Sequence, residues 1–204
     1  MAGLGAMLKS CSLMKRLAVV LTLAIFAPYA AAQSRPVERP KILGIDHVSF
    51  FTTAPNGVNH LYGGVLGLTS AAPIEPGGLQ RYMIGTQWVG YSSAPDPKAN
   101  DRMDHVAFNT NDIVVLRQYL IAKGINVPEI QDQPDHSRSF MVADPEGHHI
   151  EFVERGKSDT PAVSSSSAVS RRMIHTGFLV RSREAEDRFY RDILGFRLYW
   201  HGSM

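Results

Sequence analysis

The chain has 204 residues, 44% of them apolar and 20% charged, with a formal net charge of +2. That content suits one compact domain plus an appendage. The single cysteine, Cys11, excludes a disulfide framework, and the near-neutral balance gives no basis for a nucleic-acid partner, which would want a basic face.

Residues 14–32 read MKRLAVVLTLAIFAPYAAA. A basic start, a short apolar run from Leu17 and the small residues Ala30–Ala32 are the marks of a secretory signal peptide. The alternative is an uncleaved anchor, for which the run is short against a span of about 20 residues. The expectation is therefore a signal peptide over 1–32, a secreted or periplasmic chain, and no stable membrane span after cleavage. Removing Lys9, Lys15 and Arg16 leaves 18 basic side chains against 19 acidic, a mature net charge of −1 without thiols.

Residues 33–41 (QSRPVERPK) form a polar lead-in. A strand then reads IDHVSFF, followed by a helical segment ending LYGGVLGL, with Gly67 20 residues after His47. A weak strand lies near 69–74 and a hairpin over 82–93 (YMIGTQWVGYSS). The pattern then repeats. MDHVAFN is a strand, DIVVLRQYLIAKGI a helix, and Gly124 falls 19 residues after His105. A weak strand near 127–131 and a hairpin over 139–154 (SFMVADPEGHHIEFVE) follow. Asp144, Pro145 and Gly147 suit positions i, i+1 and i+3 of a type I turn. Each helix ends at a glycine that can adopt the left-handed cap. The folded unit is thus 42–155, built as strand-helix-strand-strand-strand twice, over 42–99 and 100–155.

A Ser-rich tract, 156–170 (GKSDTPAVSSSSAVS), suits a flexible linker. A third copy starts near Arg171: MIHTGFLV reads as a strand, AEDRFYRDILGF as a helix, and Gly195 again falls 20 residues after His175. The sequence ends after the copy's second strand. The expectation for 171–204 is the start of a second, truncated domain, with the docking of this tail on another chain as the alternative.

Side chains on a strand alternate between faces. In the first strand this puts Val48, Phe50 and Thr52 toward the helix, and Ile45, His47, Ser49 and Phe51 on the opposite, concave face. MDHVAF repeats the arrangement with His105. Ser49 and Ala107 are small and leave room beside each imidazole. In the closing strand Ile150 and Phe152 face the helix, so His149 and Glu151 share the concave face with the two histidines. A carboxylate there is costly to bury unless a charge pairs with it, and lysine and arginine are scarce among the concave positions that alternation assigns. One divalent cation held by His47, His105 and Glu151 resolves the difficulty. Two imidazoles and one carboxylate leave coordination positions open for water or substrate.

GIDHVSF, LYGGVLGL, MDHVAF and DPEGHHIEFVE, with FYRDILGF in the third copy, are the motifs by which the chain resembles the vicinal oxygen chelate (VOC) superfamily. That superfamily includes glyoxalase I, extradiol dioxygenases, fosfomycin-resistance transferases and bleomycin-resistance proteins. The resemblance implies an α+β fold in which paired βαβββ modules form an open, barrel-like cup around a divalent metal. It matches His47 and His105 to the first-strand ligands and Glu151 to the last-strand ligand. A fourth acid, usual in glyoxalase-type members, is missing from QWVGYSSAP, where Gln87 is the stand-in on offer. Three ligands resemble extradiol and fosfomycin-type members more. His175 is the equivalent of a ligand in the third copy.

By the same resemblance the substrate is a small oxygenated or aromatic molecule that chelates the metal through two neighbouring oxygens, the metal being Fe2+, Mn2+ or Zn2+. His136 and His149 are then candidate proton carriers, and Tyr82 and Tyr91 candidate hydroxyl donors. The implied activity is that of a dioxygenase or a glyoxalase-like lyase; the alternative is a non-catalytic module that sequesters a small molecule. Module pairing in the superfamily occurs within or between chains, so a homodimer is one expected assembly. Export disfavours a glutathione-dependent reaction, and it lets zinc or copper compete with Fe2+.

Overall fold

The computed structural model describes residues 36–74, 78–98, 101–156 and 167–200. The expected signal peptide lies outside the described residues. Among those described, no helix is long and apolar enough to cross a membrane. The described residues from Val37 onward form a compact unit of their own.

Eight strands form one open sheet: β1 (Ile42–Thr52), β2 (Thr69–Ala71), β3 (Gln80–Ile84), β4 (Gln87–Ser93), β5 (Met103–Thr110), β6 (Gln131–Asp132), β7 (Arg138–Ala143) and β8 (His149–Glu154). Their order is β2-β3-β4-β1-β5-β8-β7-β6. Each half reads the same outward from the centre: first strand, last strand, third, second. β1 and β5 meet antiparallel at the seam, while β1·β4 and β5·β8 are parallel. The strands that open and close each repeat are therefore the four in the middle.

Local signals set the elements. Helix α1 (Pro55–Asn59) starts on a proline, whose fixed φ and missing N–H suit the first helical position. It continues as a π-helical turn over His60–Val65. Helix α2 (Ile113–Ala122) is capped by Asp112, which accepts from the Val115 N–H at 2.9 Å. The β3–β4 hairpin turns through Gly85 and Thr86, with Gly85 at φ +66°. The β7–β8 turn closes with the Gly147 N–H donating to the Asp144 carbonyl at 3.0 Å, the type I arrangement expected from the sequence.

Two apolar clusters hold the sheet. The larger joins Val106, Ile150 and Phe152 of the sheet to Ile113, Leu116 and Leu120 of α2, all fully buried. Each such side chain contributes about 1.5–3 kcal/mol on burial. The smaller joins Leu68, Tyr82 and Tyr91, with Val58 and Tyr62 of the first helical segment against them.

The third copy departs from expectation. Its helix α3 (Arg183–Asp187), continued as a π-helical turn over Arg188–Ile193, is present. Residues 173–180 and 196–200 form no strand, because a strand exists only where a neighbour completes its ladder. Instead the copy packs on the first two. Phe189 and Leu194 are 2% and 0% exposed within the larger cluster, and the Tyr119 hydroxyl donates to the Ile193 carbonyl at 2.8 Å. The end of the Ser-rich tract is also seated: the Val169 N–H donates to the Leu66 carbonyl, and Ala168 joins the smaller cluster.

Candidate metal centre

Simple alternation does not describe β1 and β5. The ladder skips Asp46 between Ile45 and His47, and skips Asp104 between Met103 and His105. Each skipped residue is the extra member of a β-bulge, which turns two successive side chains toward one side. Ile45, expected on the concave face, consequently packs in the larger apolar cluster. Asp46 moves the other way and lines the concave cavity beside His47.

His47 and Glu151 share one register partner, Ala107, which is fully buried between them. Their side chains converge above its methyl, and His105 reaches the same point from two residues along β5. His47 Nε2 lies 3.0 Å from His105 Nε2 and 3.1 Å from a Glu151 carboxylate oxygen, with 3.6 Å between His105 Nε2 and that oxygen. One ion about 2.0–2.2 Å from each atom would span these separations, so the three side chains fit a metal. Such an ion would relieve the approach of two ring nitrogens and a carboxylate.

The aspartates before each histidine complete the arrangement. Asp46 accepts from His47 Nδ1 at 2.9 Å, and Asp104 from His105 Nδ1 at 3.2 Å. Protonated Nδ1 leaves Nε2 of each ring as the free donor atom, the orientation that ligand histidines take from a carboxylate behind them. Asp46 is held in turn by Arg155, at 2.6 and 3.0 Å, and Asp104 by the Ser49 hydroxyl at 3.1 Å. Burial resists charge on His47, yet the Asp46 and Glu151 carboxylates raise its pKa above the ordinary imidazole range. Burial pushes Glu151 upward, and the two histidines overcome it and lower its pKa.

Above the triad lies a cavity of about 500 Å³. Trp88 stacks on His47, with ring centroids 3.7 Å apart and planes 10° from parallel, and the Arg81 guanidinium sits 5.5 Å over the same indole. Ser137, Ser139 and Asp135 line another part of the wall. Gly90 permits the indole's position: a Cβ there would stand 2.5 Å from a Trp88 ring carbon.

A family model described as the Glyoxalase/Bleomycin resistance protein/Dioxygenase superfamily matches residues 44–152. The chain belongs to that superfamily. Among curated proteins nothing matches this superfamily member. A Mn(II)-bound glyoxalase from Novosphingobium aromaticivorans is similar in fold at 17% identity and a TM-score of 0.55, over 78% of this chain and 54% of its own length. Methylmalonyl-CoA epimerase from Mycobacterium tuberculosis aligns at 16% identity and a TM-score of 0.48, over 56% of this chain and 89% of its own.

The remaining sequence candidates lie elsewhere. Tyr82 and Tyr91 are buried on the helix side, where both hydroxyls donate to Asn59 Oδ1, at 2.5 and 2.7 Å. The sequence suggests them as hydroxyl donors to the metal site, but alternation on β3 and β4 turns them away from it. His136 is exposed, with φ +66°, in the turn before β7. His149 is exposed at the mouth of β8; neither histidine lines the cavity. His175 is exposed and joins no ligand cluster among the described residues. Gln87 is occupied by the chain: its amide bonds the Met173 N–H and carbonyl and the Ile45 carbonyl.

The expectation of a concave face poor in cations also fails, since Arg81 and Arg155 both line the cavity. Arg155 is engaged with Asp46, and Glu151 faces the two imidazoles and the Ser139 side chain. Sequence reasoning passes over Asp46, Asp104, Trp88, Arg81 and Asp135. The doubled Asp-His pair is the one signal available for the first two.

Proposed function

We propose that the chain is a metal-dependent enzyme for a small oxygenated substrate, bound to a divalent ion through two neighbouring oxygens. The observation that carries this is the convergence of His47, His105 and Glu151 to within 3.6 Å of one another at the base of a cavity. When bound, the ion supplies Lewis-acid stabilisation of charge developing on substrate oxygen. Fe2+, Mn2+ and Zn2+ all suit two imidazoles and a carboxylate. Arg81 offers a positive charge on the wall, which suits a substrate carrying a carboxylate, and Trp88 offers an apolar face beside it.

Within the superfamily's chemistries, a lyase or isomerase fits better than ring cleavage. Among the described residues the cavity wall offers no phenol, and no imidazole beyond the two ligands. Asp135, which accepts from the Ser137 N–H and hydroxyl, is a cavity carboxylate without a histidine partner, and we assign it the proton transfer. The substrate enters through the open mouth of the cavity, and Asp135 takes or returns a proton while Arg81 holds the charged end.

Elemental analysis of the anaerobically purified chain is the test. About one metal ion per triad is expected, with His47→Ala, His105→Ala and Glu151→Gln each losing it. Metal content unchanged in all three variants would refute the centre. Turnover of 2-hydroxy or 2-oxo acids by the metal-loaded chain, lost in Asp135→Asn at unchanged metal content, supports the lyase or isomerase reading. Tight binding without turnover would favour sequestration instead, and ring cleavage of a catechol with added Fe2+ would favour a dioxygenase.

We also propose export, on the leader composition of residues 14–32. N-terminal sequencing of the mature chain checks it, with Gln33 as the expected first residue.

A further inference from the structure

The first and third copies match position for position when counted back from their closing glycines. Nine residues before Gly67 stands Val58, which packs in an apolar cluster; nine before Gly195 stands Glu186. Glu186 is 5% exposed, and neither of its carboxylate oxygens has a hydrogen-bond partner. A buried carboxylate in that state is costly. Its electrostatic surroundings are mostly adverse. Burial and the Asp144 and Glu146 carboxylates disfavour its charge, while His148 favours it. The Glu146 N–H lies near, but it already donates to Asp144 Oδ1 at 3.0 Å.

Two of those neighbours are donors of another kind. Asp144 and His148 come from the turn between β7 and β8, and one ligand atom from each lies within 4.8 Å of the others and of Glu186. His148 Nδ1 is 2.7 Å from Asp144 Oδ2, and its ring stacks on Phe178, centroids 4.5 Å apart. The Tyr190 hydroxyl donates to Asp144 Oδ2 at 3.0 Å. The Glu146 carboxylate is engaged by the Arg181 and Ser182 N–H groups at the entry to α3. The turn and the helix thus meet in a fixed geometry in which one buried acid lacks a partner.

We propose that Asp144, His148 and Glu186 form a second site for a divalent transition-metal ion, separate from the His47 triad, which staples the third copy's helix to the β7–β8 turn. One imidazole nitrogen and two carboxylate oxygens suit zinc or manganese, and the ion supplies the positive charge that Glu186 lacks. Removing it leaves Glu186 buried without a partner, so the copy's docking on the turn is weaker without the ion.

Zinc is the probe, applied to the chelator-stripped full chain and counted by equilibrium dialysis with elemental analysis. About two zinc ions per chain are expected, falling to about one in Glu186→Gln and in His148→Ala. In a His47→Ala background, zinc should still raise the melting temperature, and adding Glu186→Gln should abolish that rise. Glu186→Val, which installs the first copy's residue type, keeps the test valid if the glutamine variant folds poorly; it should fold and lose the same ion. Zinc content equal to wild type in both Glu186 variants overturns the second site. Zinc content lowered by Glu186→Gln but unchanged by His47→Ala supports it, and counts against the first centre alone.

Discussion

Ala107 pairs with both His47 and Glu151, and its methyl is the floor over which their side chains meet. A larger residue has nowhere to go but the space an ion would fill. Ala107→Leu is expected to abolish metal binding at the triad and to cost about 1–3 kcal/mol from overpacking, checked by dialysis and urea denaturation. Asp46 acts one step back, fixing His47 through Nδ1. Asp46→Asn should weaken metal affinity about 10–100-fold while the chain stays folded, as read by competition with a chelating dye. His47 and His105 are legible in the sequence because the repeat writes them at equivalent places on strands, and Glu151 because it alternates with the apolar Ile150 and Phe152 on the closing strand. The two aspartates are not. Alternation assigns them to the far face, and the bulges that bring them back depend on how β1 pairs with β5, which one strand's sequence does not state.

The β3–β4 hairpin carries no triad residue, yet it sets the cavity wall. Trp88 lies flat on His47 because Gly90, two residues along the same strand, leaves space for the indole. Gly90→Ala should push the ring off the imidazole and weaken metal binding. Trp88 emission should also respond when metal occupies the triad, and the response should persist in Trp200→Phe, which removes the chain's other tryptophan. No change in emission on zinc addition to that variant would count against the stacking. Hairpins and helices are readable because their signals are local: Pro55, Asp112, Gly85 and the Asp144–Gly147 turn act within a few residues. The strand expected over 173–180 fails for the opposite reason. Its composition suits a strand, but a ladder needs a partner, and the docking of Met173 on the Gln87 amide takes the chain elsewhere.

Across the molecule, the third copy contributes to the same apolar core as the second. Phe189, 2% exposed, packs with α2 and the sheet, so Phe189→Ala should cost about 3–5 kcal/mol. The loss should show as one cooperative transition in urea by Trp88 emission and by circular dichroism; two separated transitions would mean the copy melts independently. The seam between β1 and β5 has a consequence of its own. A bulge differs from a regular ladder by a single amino acid, and a strand's faces swap with every such step. Both strands carry an irregularity at the residue before the histidine, and it turns that aspartate to the side of the imidazole it holds. Deleting one codon at Asp46 or Asp104 would restore a regular ladder around the histidine and leave the sheet order intact, while removing the carboxylate that fixes the ring and its free Nε2. Descendants of this architecture can therefore fall silent, or regain a voice, through length changes too small to disturb the scaffold.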